Sequence, residues 1–264
     1  MNRITGRNIY ITKLQNVVAA CGGPDAFAQR AKESKFSAVW VRVGRGPKLD
    51  ANFSWTGYPA VRAALDAAGV ALWGWHVPFC ATHAATTNEA AKVIDWATQY
   101  NLAGVLLDAE RTPDHPRFQG DDDDARLYAG TVHASLTAAG RGVALSSHDQ
   151  PAVHRDFPFA IFLENVDDNS PQVYYRVAAV ATRLNKSIRD YTPLEAARDF
   201  KDRYKPTGNI TMGDDLPLPD VRTCLAATKN FIKLVHTKGY RGYSFWCWDT
   251  APDEIWSLFE ATPV

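Results

Sequence analysis

The chain has 264 residues, 46% of them hydrophobic and 22% charged, with 29 Lys and Arg against 29 Asp and Glu. That composition excludes a disordered chain, no apolar run approaches a membrane span, and a formal charge of zero gives nucleic acid or an anionic membrane no global attraction. Length alone fits one large domain or two small ones.

The opening stretch, MNRITGRNIYITKLQNVV, has polar residues throughout its first fifteen positions and lacks the apolar core of a secretory signal, so cytoplasmic synthesis is expected, with any release by lysis or a dedicated machine. The first β-rich run is predicted at 8–14 (NIYITKL), and PDAFAQRAKESK follows as an amphipathic helix. Further β-rich runs are predicted at 38–44, 70–77, 103–109, 142–148, 159–165 (FAIFLEN), 209–214 and 242–249. Helical patterns separate them, including YPAVRAALDAAG, NEAAKVIDWATQYN, DDARLYAGTVHASLTAAG, SPQVYYRVAAVATRLNKS, YTPLEAARDFKDRYK and PDVRTCLAATKNFIKLVHTKG. Several open on Asp, Asn or Ser and close on Gly, the residues that satisfy helix ends. The link DQPAVHRDFP is the weakest helix, and DEIWSLFE closes the chain.

Strands that are continuously apolar, rather than alternating, are buried on both faces. Eight of them interleaved with helices predict an α/β fold, a closed (β/α)8 TIM barrel forming a single domain over 1–264. The alternative is an open doubly wound sheet, which announces itself by GxGxxG after its first strand; TKLQNVVAACGGPD has no such turn, and no cofactor is implied. Cys21, Cys80, Cys224 and Cys247 lack CxxC spacing and read as reduced thiols.

A barrel of this kind builds its site at the C-terminal ends of the strands. Those ends carry Arg42, His76, Asp108 with Glu110, His148 with Asp149, Glu164 with Asn165, Asp214 with Asp215, and Trp248 with Asp249. Asp108 and Glu110 are two apart, so both face the barrel mouth. Two close carboxylates raise each other's proton affinity, and one can then act as an acid while the other stays ionised, as glycoside cleavage requires. Loop capping, or pairing with Arg42 or Arg111, is the plainer reading of the same residues. Trp75 and Trp248 lie nearest the mouth as platforms for sugar rings, whereas Trp40 and Trp73 sit deeper and read as core. His76, His148, Asp149 and Asp214 raise a metal-dependent hydrolase, but the HxH pair that opens such a site on strand one is missing, so no metal is assigned. GDDDDAR lacks EF-hand spacing.

The stretches VWVRVGRGPKLDANF, LWGWHVPF and VLLDAE resemble strands two to four of the family 25 glycoside hydrolases, the lysozyme-type muramidases. The matching positions are Asp50 and Phe53, then Gly74, Trp75 and His76, then Asp108 and Glu110. Chitinase-like barrels also end strand four in D-x-E. The resemblance implies Glu110 as general acid and Asp108 as the group that stabilises charge at the anomeric carbon or orients an N-acetyl group. The expectation is a hydrolase of an N-acetylated glycan such as peptidoglycan, with Asp214, Asp249 or Glu164 as base or nucleophile across the mouth, and Arg42, Trp75, His76, His148, Asp149 and Trp248 holding a carbohydrate. No nucleic-acid or membrane partner is expected. The alternatives are a carbohydrate-binding barrel without catalysis and the metal hydrolase.

Overall fold

The computed structural model describes residues 2–111, 117–175, 180–212 and 218–264. Among the described residues eight parallel strands are present: β1 (Gly6–Ile11), β2 (Phe36–Arg45), β3 (Ala71–Val77), β4 (Gly104–Asp108), β5 (Gly142–Ser146), β6 (Asp168–Asn169), β7 (Thr207–Asn209) and β8 (Gly242–Trp246). They follow the order β6-β5-β4-β3-β2-β1-β8-β7. Bridges from Asn169 to Tyr204 and from Gln172 to Thr207 join the two outer strands. Backbone bonds from Lys205 N to Asn169 O (2.7 Å) and from Thr207 N to Pro171 O (2.9 Å) complete the closure into a barrel. A two-residue strand, Lys48–Leu49, folds back antiparallel on the end of β2.

Both faces of the strands are buried, which explains why their apolar runs do not alternate. Ile9, Val39, Val41, Leu72, Val105, Leu107 and Val143 point outward into the layer beneath the helices. Tyr10, Trp40, Trp73, Trp75, Leu106 and Ala144 point inward and fill the barrel. Trp40 and Trp73 are thus buried in the barrel interior. A Cβ at Gly104 or at Gly142 would lie 2.5 Å from the Trp73 ring, so both glycines are where the indole needs room.

One predicted strand is a helix. Residues Phe159–Glu164 form a helical turn and a half, and the sixth strand is the polar pair Asp168–Asn169 a few residues later. A short apolar run does not distinguish strand from buried helix by periodicity. The true strand escapes notice because its side chains are met by polar partners: Asp168 accepts from Arg3 Nη2 (2.6 Å) and Ile4 N (2.8 Å), and Asn169 donates to Glu195 Oε1 (2.8 Å). Glu164 therefore sits on a helix outside the barrel, half-exposed and 3.7 Å from Arg126. Glu164→Gln is expected to leave any glycan turnover within about twofold of the parent and stability within about 0.5 kcal/mol, checked by rate assay and thermal unfolding. The chain from Ser170 to Tyr175 is not helical, and the next helix among the described residues is Val180–Tyr191. Among the described residues no helix is long and apolar enough to cross a membrane.

Candidate active site at the mouth of the barrel

Alternation along β4 carries inward from Leu106 to Asp108 and then to Glu110, just beyond the strand end. Asp108 is buried, and its Oδ1 accepts from Ser146 Oγ on β5 (3.0 Å) and from Gln172 Nε2 (2.8 Å). Tyr10 on β1 donates to the same serine at 2.9 Å. The Gln172 amide also donates to Glu110 Oε1 at 2.6 Å, so one side chain beyond β6 ties the two carboxyl groups together. Arg117 Nη1 lies 3.4 Å from Asp108 and 3.2 Å from Glu110. Burial first, and then the charge of Glu110, raise the proton affinity of Asp108 to a pKa of about 7, against the opposing pull of Arg117. Both carboxyls meet at the Gln172 amide and the Arg117 guanidinium, and the charge of Glu110 together with burial favours a proton on Asp108.

Tyr174 belongs to the same cluster. Its hydroxyl feels Tyr10, Asp108 and Glu110, and burial holds its pKa far above the ordinary phenol value, so it remains a donor. Its ring stands 6.4 Å from that of Trp246, which in turn lies 5.7 Å from Trp75. Trp75 donates its indole N–H to Ile11 O (3.1 Å) and carries Arg42 over its ring at 5.4 Å. Arg42 is held by Asp50 at 2.6 Å, and Asp50 also accepts from Asn52 N to open the short helix Ala51–Ser54. The neighbouring Asn52 binds Leu14 N and the carbonyls of Thr12 and Arg42, locking the loop after β1 to β2. Phe53 packs on Tyr58 and Tyr100.

A groove of about 700 Å3 opens here, with Arg42, Arg45, Trp75, Trp246 and Arg117 in its wall. Arg117 is the lining residue through which the groove touches the carboxylate pair.

Other expected site residues are placed elsewhere. His76 points outward from β3, where a carbonyl fixes its tautomer: Nε2 donates to Gly46 O (2.8 Å) and Nδ1 accepts from Tyr128 OH (2.6 Å). Burial pushes its pKa down to about 4, so it is a neutral strut. Trp248 lies beyond the end of β8 and lines the groove, but its ring is largely buried against Trp256 (4.6 Å), Phe27 (4.9 Å) and Phe36 (5.9 Å) in the helix layer. Trp246, two residues earlier, holds the inward position. Asp249 lines the groove, but its oxygens accept from Thr12 Oγ1, Thr12 N and Lys13 N at 2.7–2.8 Å, which makes it a clasp between the β8 and β1 ends. Asp149 faces the helix Val180–Tyr191 and pairs with Arg183. His148 stays near Glu110, bonded to Arg111 O (3.0 Å) and stacked on His154 at 3.7 Å; burial lowers its pKa. Asp214 and Asp215 lie outside the described residues. Of the residues invoked for a metal, His76, His148 and Asp149 do not converge, and among the described residues no three His, Cys, Asp or Glu are grouped to hold an ion.

Fold and site together define a (β/α)8 barrel with a buried carboxylate pair at the end of its fourth strand. No family model and no curated protein sequence matches the chain. Solved structures do. The chain is similar to a chitinase from Chromobacterium violaceum, 12% identical over 98% of this chain and 100% of that one, with a TM-score of 0.70. It is also similar to the spore cortex-lytic enzyme SleL of Bacillus cereus, 10% identical over 100% and 76% of the two chains, TM-score 0.68. A third is the PgaB (BpsB) glycoside hydrolase domain from Bordetella bronchiseptica, 11% identical over 97% and 96%, TM-score 0.63. At these identities the likeness establishes a shared barrel fold.

Proposed function

We propose that this chain hydrolyses a glycosidic bond in an N-acetylated glycan, with Glu110 as the general acid and Asp108 as its partner. The observation that carries this reading is the coupling of the two carboxyls through one amide, Gln172, beside a groove walled by Trp75 and Trp246. A buried pair that shares a proton can deliver it to a leaving oxygen and remain anionic where positive charge develops. The solved structures that the barrel resembles include proteins named as chitinases, a spore cortex-lytic enzyme and a glycoside hydrolase domain, rather than family 25 muramidases, which supports the glycan reading and leaves peptidoglycan as one candidate among N-acetylated polymers.

Glu164 is outside the barrel and Asp249 is saturated, so among the described residues neither reaches across to Glu110 as a base or nucleophile. The substrate's own 2-acetamido oxygen fills that role in this reading. As substrate displaces Arg117, the proton held on Asp108 passes to Glu110, which gives it to the glycosidic oxygen as the C–O bond breaks, and the acetamido oxygen closes on C1. Ionised Asp108 accepts from the acetamido N–H and offsets the ring's positive charge. Water then opens the ring, losing its proton to Glu110, with net retention. Replacing the 2-acetamido group by a hydroxyl is expected to abolish cleavage, and product NMR is expected to show the retained anomer first. Equal cleavage of both glycans, or an inverted product, overturns the acetamido step.

One observation favours a second reading. Arg117 bridges both carboxylates from the groove side, as a locked site would have it, which fits a carbohydrate-binding barrel without turnover. In the hydrolytic reading, substrate displaces Arg117 from Glu110.

A further inference from the structure

The mouth groove does not end over the barrel. It continues across the loop after β1, where Lys13, Asn16, Val17 and Ala20 form one wall, their spacing of three and four placing them on one face of the helix Leu14–Cys21. Arg30 and Trp256 stand in the other wall. The Arg30 guanidinium lies 5.9 Å over the Trp256 ring, and Cys21, whose thiol burial pushes up in pKa, lines the same limb. Lys13 gives Asp249 only its backbone N–H. Among the described residues neither Arg30 nor Lys13 has a carboxylate within ion-pair distance. Two acids among the described residues line the groove: Asp249, whose oxygens are engaged by Thr12 and the Lys13 N–H, and Asp253, at the N-cap of the helix Glu254–Ala261, whose positive end offsets part of its charge.

An arginine set in a concave wall, backed by an indole and lacking an anion, is a preformed receptor for one. Its planar fork matches a carboxylate in two parallel hydrogen bonds, and the aromatic face fixes its orientation in advance. Val17 and Ala20 supply apolar contact for a sugar ring, and the Asn16 amide supplies a hydrogen bond. We propose that this outer limb is a subsite for a carboxylate-bearing sugar residue, anchored by Arg30 with Lys13 as the second cation. The inference rests on the reading that the groove binds glycan, and it selects acidic N-acetylated glycans over neutral homopolymers. A neutral sugar fills the limb without pairing Arg30.

The test measures binding to full-length Glu110→Gln protein, in which glycans stay intact. Two carboxylated probes distinguish the source of the acid: peptidoglycan strands stripped of peptide, with a lactyl carboxylate on alternate residues, and hyaluronan oligomers, with a uronate on alternate residues. Each is compared with the same glycan after its carboxyls are reduced to alcohols. At least one acidic glycan is expected to bind about 10-fold tighter than its reduced form. That ratio is expected to fall toward one in the Arg30→Gln double variant and to recover in part with Arg30→Lys, thermal unfolding confirming that each variant folds. Equal affinity for acidic and reduced glycans, or a preference that survives Arg30→Gln, overturns the subsite. Absence of binding to every glycan overturns both this inference and the glycan reading. A preference lost with Arg30 in a parent that turns over no glycan leaves the subsite standing and removes the hydrolase.

Discussion

Glu110→Gln is expected to lower turnover of an N-acetylated glycan by about 10³-fold while changing its dissociation constant by no more than about threefold. The amide keeps the shape of the carboxyl and can still meet Gln172 and Arg117, but it has no proton to give a leaving oxygen. A group used only in the transition state lowers kcat and kcat/KM together and leaves ground-state affinity in place. Single-turnover kinetics with a chromogenic N-acetylated glycoside, alongside calorimetric binding of an uncleaved oligomer, separates the two quantities. Turnover that survives the substitution removes Glu110 from the acid role. A parent with glycan affinity and no turnover establishes the binding barrel instead, with Arg117 as the residue that closes the pair.

Barrel and carboxylate pair were both legible in the sequence because each is written in local periodicity. Two-sided burial gives continuous apolar strands, and a spacing of two puts Asp108 and Glu110 on one face. What was illegible depends on contacts between distant segments. The sixth strand is polar because Arg3, Ile4 and Glu195 satisfy it, and placing that strand at 159–165 hid the role of the residues that follow the true one. With β6 at Asp168–Asn169, inward alternation continues from Ser170 to Gln172 and Tyr174, and these would have been read as mouth residues. His76 was misplaced for a related reason, and Trp248 lines the groove with its ring largely packed into the helix layer. Nearness to a strand end says nothing about which face a side chain takes, and the parity from Trp75 and Trp246 sends the eye to those residues instead. Asp249 was correctly located and differently employed, since no sequence pattern shows that two backbone amides and a threonine hydroxyl converge on it.

The buried partner of the pair carries a stability cost that can be measured separately from any activity. Asp108→Asn is expected to gain stability over the parent as pH rises from 4 to 8, by on the order of 2–4 kcal/mol across the window. The sign follows from proton binding. The folded state holds the Asp108 proton up to about 7, whereas an unfolded aspartate releases it near its ordinary value of about 3.9. Between those values the native parent binds more protons than the unfolded chain, so its unfolding free energy falls with rising pH. Three units at about 1.4 kcal/mol each set the ceiling, and the neighbouring Arg117 and the charge coupling to Glu110 hold the effect below it. Asparagine cannot titrate. It keeps an oxygen for Ser146 and Gln172 and meets Arg117 with an amide, a penalty that does not change with pH and so shifts the difference curve without tilting it. Urea unfolding of both proteins at half-unit intervals reads the tilt directly. A difference that stays flat between pH 4 and 8 shows Asp108 ionised throughout, as a simple partner of Arg117. A tilt of the expected sign shows a carboxyl that the fold would hold more stably as an amide, and a group kept at that cost is one whose proton has a use.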